Sequence, residues 1–348
     1  MRGMTFGGDR TVEFIEVPDP VPGSGEVVLE MKASGICGSD LHMYRGPRGM
    51  SLLGASPTEP VIRGHEPCGV VAAVGPDVNE RTAKVGERVM VHHYWGCGAC
   101  RHCRSGWSQM CERQRPLVYG SGAGHGGHAR YMKVPAGTLV HLPDELSFAA
   151  GAAISCGTGT AYAALRRLHV SGGDNISIFG QGPVGLAATQ LAAFMGARVI
   201  AVDINNERLA LAKRMGAAET INSAETSPVE AVRALTGGRG ADLSMDASGA
   251  TEARHAGLES LRPWGSMALV GVGGKFEPSL GWLMSNQTTV FGSFTFSSIG
   301  QAECADFAAT RKVPVDAIFT DYWKLDDAGE AYKKADSQTA GKGCIVEF

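Results

Sequence analysis

The stretch from residue 175 to residue 203 limits the fold more than any other. Asn175 to Phe179 is a short apolar run with strand character. It passes directly into Gly180-Gln181-Gly182-Pro183-Val184-Gly185, which opens an Ala-rich helical segment ending near Gly196, and a second apolar run then ends at Asp203. Strand, glycine turn, helix and strand in this order make a βαβ unit, the building block of a parallel sheet. Gly180 would make the tight turn, Gly182 would let the backbone reach a pyrophosphate, and Gly185 would let helix and strand pack closely. Unpaired N–H groups at the start of the helix favour an anion there. Asp203, eighteen residues past Gly185, is placed to accept hydrogen bonds from both hydroxyls of a ribose. Its charge would repel a 2′-phosphate, so NAD is expected over NADP. Arg208 would stack on adenine, reach a 2′-phosphate or simply be solvated, which leaves NADP as the lesser option.

The same rhythm continues after this unit. Runs at Ala241–Asp246 and Ser266–Val270 read as further strands, preceded by helical segments at Pro228–Leu235 and Thr251–Leu261. Before residue 158 the texture is different: Thr11–Val17, Val27–Ala33, Val70–Val74, Arg88–Val91 and Tyr131–Val134 are short β-rich runs separated by Pro/Gly turns. After about Ser293 too few elements remain for a domain, so this tail should pack back onto the β-rich part. The expected class is α/β: a mostly β domain over 1–157 and 295–348, and a doubly wound parallel-sheet domain over 158–294. A length of 348 residues suits two such domains.

Thirty-two Lys and Arg against 35 Asp and Glu give a net charge of −3, with no basic footprint for nucleic acid or an anionic membrane. Small molecules are the expected partners. Met1 to Asp9 lacks the layout of a signal peptide and no apolar run is long enough to span a bilayer, so a cytoplasmic location is expected. In that reducing compartment nine cysteines read as thiols or metal ligands rather than disulfides. Four of them, Cys97, Cys100, Cys103 and Cys111, form C-x2-C-x2-C-x7-C among glycines, in a lobe near 94–113. Such spacing lets a short loop surround a tetrahedral zinc with no open position, a structural site. An iron–sulfur cluster or unliganded thiols are the alternatives. The usual cluster run ends C-x3-C-P, whereas Glu112 follows Cys111.

Three more elements lie far apart: Cys37 in Gly35-Ile36-Cys37-Gly38-Ser39-Asp40-Leu41-His42, His65 in Gly64-His65-Glu66-Pro67-Cys68-Gly69, and Cys156 in Ser155-Cys156-Gly157-Thr158-Gly159-Thr160. Singly, each reads as a core cysteine or a turn histidine. Their order, with the dinucleotide fingerprint and the cysteine lobe, resembles the zinc-containing medium-chain dehydrogenase/reductase (alcohol dehydrogenase) family over nearly the whole chain. The resemblance implies a GroES-like catalytic domain beside a Rossmann NAD-binding domain, with the active site in the cleft. It implies two zinc ions per chain, the catalytic one held by Cys37, His65 and Cys156 with water or substrate oxygen in the fourth position. Zinc on an alcohol oxygen lowers its pKa, so an alkoxide forms near neutral pH and expels hydride to NAD. Ser39 and His42 match the family's proton relay through the cofactor ribose, and Asp40 matches the carboxylate that orients the histidine ligand. Glu66 matches an alternative zinc ligand, and Thr160 a contact to the nicotinamide ring. Cys68, Cys304 and Cys344 match no ligand position and read as buried thiols.

Within the family, Cys-Gly-Ser-Asp-x-His is similar to polyol and threonine dehydrogenases, whose third ligand position is usually acidic. Cys156 departs from them toward the simple alcohol dehydrogenases. Polyol, sugar or threonine-type, and aldehyde-adduct dehydrogenases are the alternative enzymes; a non-catalytic NAD- and zinc-binding sensor or structural protein is the alternative of another class. The run Tyr119 to His128 reads as a small, polar, flexible rim of the substrate cleft, or else as a plain turn. The resemblance also implies a homo-oligomer, a tetramer before a dimer.

Overall fold

Strand Asn175–Phe179 lies inside a six-stranded sheet in the computed structural model, which describes residues 1–51, 57, 59–337 and 340–348. From one edge the strands are Glu219–Asn222, Arg198–Asp203, Asn175–Phe179, Ala241–Asp246, Leu261–Leu269 and Thr289–Gly292, each parallel to its neighbours. In order of appearance this is 3-2-1-4-5-6, the doubly wound Rossmann order. The middle strands are apolar along their length because both faces are covered: Ile176, Ile178, Val199, Ile200 and Met245 are all buried. Helix Pro183–Phe194 starts with proline in its first turn, where a missing N–H costs nothing. Helices Asn206–Arg214 and Pro228–Leu235 are capped by Asn205 and Ser227, whose side chains accept backbone N–H bonds.

The chain divides into two units, Met1–Gly159 with Phe296–Phe348, and Thr160–Thr295. The first is built on a seven-stranded sheet with the order Phe319–Lys324, Lys342–Glu347, Glu26–Gly35, Pro67–Val74, Arg88–Val91 and Leu139–His141, while Tyr131–Pro135 also pairs with Glu26–Gly35. The long strand Glu26–Gly35 is buried except at Glu26, Glu30 and Lys32, which are half-buried, and Val27, Leu29 and Met31 pack with Val71, Val89, Met132 and Val134. The C-terminal segment joins this unit because Lys342–Glu347 pairs antiparallel with the end of Glu26–Gly35. A second core forms where Met4, Phe6 and Tyr44 meet Tyr332 and Ile345. Two strands absent from the sequence reading, Arg2–Gly8 and Lys342–Glu347, close this side of the unit.

Candidate functional site

Three segments of the first unit converge on one point. Cys37 caps helix Gly38–Arg45, His65 follows Gly64, and Cys156 lies between helices Phe148–Ile154 and Gly157–Arg167. The Cys37 and Cys156 sulfurs are 3.9 Å apart, and one ligand atom each from Cys37, His65, Glu66 and Cys156 all lie within 4.8 Å of one another. With Zn–S near 2.3 Å, a zinc tetrahedron has S···S edges of about 3.8 Å, so the donors fit that ion. His65 Nδ1 donates to Asp40 Oδ1 at 2.8 Å, which leaves Nε2 bare for a metal. The other Asp40 oxygen accepts from Cys37 N at 2.9 Å, so one buried carboxylate positions two of the three donors. The facing Cys156 sulfur holds the Cys37 thiol well below the usual thiol range against the opposing effect of burial, with His65 adding to it. A dication between two sulfurs lets both ionise.

Long-range partners brace this cluster. Lys342, buried on the last strand, donates to Glu66 Oε1 and to Ile36 O, each at 2.8 Å. Against the effect of burial, Glu66 and the Cys37 thiol hold its ammonium above the usual lysine range. His93 places its ring 5.2 Å from that of His65 and donates from Nδ1 to Ser155 O at 3.1 Å, beside Cys156. Ser155 Oγ is bonded to Pro67 O and Gly151 O. None of Lys342, His93 and Ser155 was singled out in the sequence. Lys342 is 276 residues from Glu66, and no local pattern marks such a pair; His93 had only its place beside His92 as a signal.

The glycine-rich run Tyr119 to His128 is not a loose rim. Gly126 N, Gly127 N and His128 N donate to Ile62 O, Gly64 O and Arg63 O at 2.8, 2.7 and 2.9 Å, so the run braces the loop that carries His65. Gly64 has φ +91°, and a Cβ there would lie 2.4 Å from the His128 ring. His128 is in turn hydrogen bonded to Tyr332 OH at 2.9 Å. Its glycines serve close backbone approach rather than flexibility, which corrects the reading of a flexible rim. Ser39 and His42 stand on helix Gly38–Arg45 three residues apart, hence on one face, Ser39 half-buried and His42 exposed. Cys68, Cys304 and Cys344 are buried thiols.

In the lobe, the Cys100 and Cys103 sulfurs are 3.5 Å apart, those of Cys97 and Cys103 4.0 Å, and all four cysteines form one cluster. Backbone N–H groups of Ala99 and Cys100 point at the Cys97 sulfur, and Cys97 N points at that of Cys111. Such bonds stabilise thiolates. Burial raises the Cys111 thiol, but the N–H groups of Cys97, Arg113 and Gln114 outweigh it and bring it to about 6.

In the second unit Gly180 has φ +88°, and a Cβ on Gly185 would lie 1.7 Å from Gly180 O. A Cβ on Gly182 would have no neighbour within 4 Å among the described residues. Asp203 Oδ2 accepts from Gln181 N at 2.6 Å and Oδ1 from Asn205 N at 3.0 Å, while Arg208 Nη1 is 3.9 Å from Oδ2. The acid therefore also ties the glycine turn to the second strand. Pro183 and Val184 form the first turn of the helix, and Thr160 is buried on helix Gly157–Arg167.

Two family models match, an alcohol dehydrogenase GroES-like domain over residues 23–144 and a zinc-binding dehydrogenase over 183–310. Across 98% of its length the chain is 40% identical to the "uncharacterized zinc-type alcohol dehydrogenase-like protein YphC" of Escherichia coli K12, covering 97% of that protein. The chain belongs to the zinc-containing medium-chain alcohol dehydrogenase family. This medium-chain dehydrogenase is also 32% identical to a sorbitol dehydrogenase of Bacillus subtilis, over 96% of its own length and 93% of the relative's. Its fold superimposes on an alcohol dehydrogenase from Thermus sp. ATN1 with TM-score 0.90 at 30% identity, covering 100% of both chains. The medium-chain dehydrogenase is thus a zinc-dependent oxidoreductase acting on small-molecule alcohols or polyols. No helix among the described residues is long and apolar enough to cross a membrane.

Proposed function

We propose that Cys37, His65 and Cys156 hold the catalytic zinc, that Cys97, Cys100, Cys103 and Cys111 hold a structural one, and that Gly180 to Gly185 with Asp203 bind NAD. The observation that carries this reading is the convergence of two sulfurs and an imidazole nitrogen from three distant segments, with the imidazole's other nitrogen already held by Asp40. When bound, zinc and NAD supply a Lewis acid for the alcohol oxygen and an acceptor for hydride. The chain supplies the rest. Asp40 fixes the tautomer and direction of His65, and Lys342 holds the Glu66 carboxylate, an alternative donor, by a hydrogen bond of 2.8 Å. Ser39 takes the alcohol proton and His42 delivers it to water, a path supported by their shared helix face and rising exposure. Thr160, four residues after Cys156, is assigned to the nicotinamide ring. NAD over NADP is supported by the Asp203 carboxylate at the end of the second strand, whose charge would repel a 2′-phosphate, with Arg208 as the residue that would admit NADP.

The substrate is a primary, secondary or polyhydroxylated alcohol. The Bacillus subtilis relative supports a polyol, whereas Cys156 in place of an acid supports a simpler alcohol. A homo-oligomer, a tetramer first, is supported by the edge strand Thr289–Gly292, which among the described residues pairs on one side only, and by Leu280 and Met284, 69% and 65% exposed on helix Leu280–Asn286.

The test is the zinc content of the purified protein together with NAD or NADP reduction against primary, secondary, polyol and sugar alcohols. About two zinc ions per chain and NADH formation with one panel member is the expected outcome. One zinc or none, with no turnover in either direction, would replace the enzyme by an NAD-binding zinc protein without chemistry.

A further inference from the structure

A second knot of hydrogen bonds lies at the carboxyl ends of the central strands of the parallel sheet, and none of the roles above uses it. Asp246 ends strand Ala241–Asp246 and is fully buried. Its Oδ1 accepts from Ser248 N at 2.9 Å, Ser248 Oγ at 2.7 Å and Gly249 N at 3.1 Å. Its Oδ2 accepts from Arg254 Nε at 2.9 Å. Arg254, 7% exposed on helix Thr251–Glu259, donates from Nη1 to Gly273 O and from Nη2 to Gly271 O, each at 2.6 Å. Val270 N and Gly271 N donate to Asp246 O at 2.9 and 3.0 Å. The two loops interlock so closely that a Cβ on Gly249 would lie 2.2 Å from Val272 O, and one on Gly271 would lie 2.1 Å from Gly249 N. Val272, at the tip, is an apolar side chain left 86% exposed.

A buried ion pair adds little net stability, because desolvation of both charges offsets their attraction. What this one supplies is geometry: the planar guanidinium fork fixes one carboxylate and two carbonyls at set angles, which a lysine cannot do. The sheet order says which part of a ligand that geometry serves. Asp203 ends the second strand and faces the adenosine ribose, whose 2′ position separates NAD from NADP; the pyrophosphate falls on the Gly180 turn. The other half of the dinucleotide therefore extends over the ends of strands Ala241–Asp246 and Leu261–Leu269, where the knot lies.

Resting on the NAD reading above, we propose that Arg254, anchored by Asp246, is the positioning residue that fixes the Gly271–Gly274 loop as the wall for the nicotinamide ring of the cofactor. The test titrates NADH and ADP-ribose, which lacks only the nicotinamide ring, against the full-length protein and its Arg254→Lys variant. The variant keeps a cation at Asp246 but loses the fork, so NADH should bind about tenfold more weakly while ADP-ribose stays within about twofold. Equal weakening of both ligands, or of neither, overturns the assignment. Should the variant fail to fold, hydrogen exchange of the wild type decides: NADH should protect the amides of residues 270–275 beyond what ADP-ribose does, and equal protection overturns it. A wild type that binds neither ligand overturns the NAD reading and this one with it; a wild type that binds both, with an unselective variant, removes only the role of Arg254.

Discussion

Asp40 has its two oxygens on different ligand segments, one on the His65 ring and one on the backbone of Cys37. Replacing it with alanine should weaken zinc binding at the Cys37–His65–Cys156 site about 10–100-fold, read by competition with a chromophoric chelator, while the lobe keeps its zinc. Asp203 likewise has two duties. Asp203→Ala should shift the NADP/NAD ratio of kcat/KM upward, and it should also raise the NAD dissociation constant, because Gln181 N loses its acceptor at the turn. A variant with an unchanged ratio would place cofactor discrimination elsewhere. At this scale the gathering of Cys37, His65 and Cys156 was anticipated by the family resemblance, since each residue singly reads as a core cysteine or a turn histidine, whereas the four lobe cysteines were marked by their own spacing. Asp40 was named by the same resemblance, but Lys342 and His93, which reach the cluster across the fold, and Arg254, which holds the Gly271–Gly274 loop, carry no local mark.

Helix Pro183–Phe194 separates two uses of glycine. Gly185→Ala puts a methyl 1.7 Å from Gly180 O, so it should lower the melting temperature and abolish dinucleotide binding together. Gly182→Ala meets no protein atom and should cost under about 1 kcal/mol of stability, yet weaken NADH binding at least about tenfold, because the methyl enters the space the pyrophosphate needs. Calorimetry and NADH fluorescence on both variants check the contrast. In the lobe, Cys103→Ser should lower thermal stability and remove one zinc; an unchanged melting temperature with that zinc gone would contradict a structural role. Three elements of the parallel-sheet unit were read from the sequence to the residue, Asn175–Phe179, Ala241–Asp246 and Pro228–Leu235, the helix being announced by Ser227-Pro228, whereas the short outer strands Glu219–Asn222 and Thr289–Gly292 were not. Arg2–Gly8, Phe319–Lys324 and Lys342–Glu347 were not: the first has three glycines in seven residues, Asp321 and Lys324 interrupt the apolar run of the second, and the third pairs with Glu26–Gly35 from the far end of the chain.

At the scale of the molecule, the first unit is interrupted by the whole of the second, and its closing strand comes from the far end of the chain. The proposed self-association belongs to this scale as well: light scattering should give a mass about four times the 36.4 kDa of one chain, and Met284→Asp on the exposed face of helix Leu280–Asn286 should reduce it. A wild type that stays at the mass of one chain would remove the tetramer. The interruption also sets an order of events on the ribosome. Cys37, His65 and Cys156 are all made before the parallel-sheet unit begins, whereas Lys342 follows Cys156 by 186 residues. At ~5–20 residues per second, the nascent chain carries its metal donors for about 9–37 s before the strand that pins Glu66 has been synthesised. Metal capture during translation would therefore meet a half-walled site whose Glu66 carboxylate still lacks its cation.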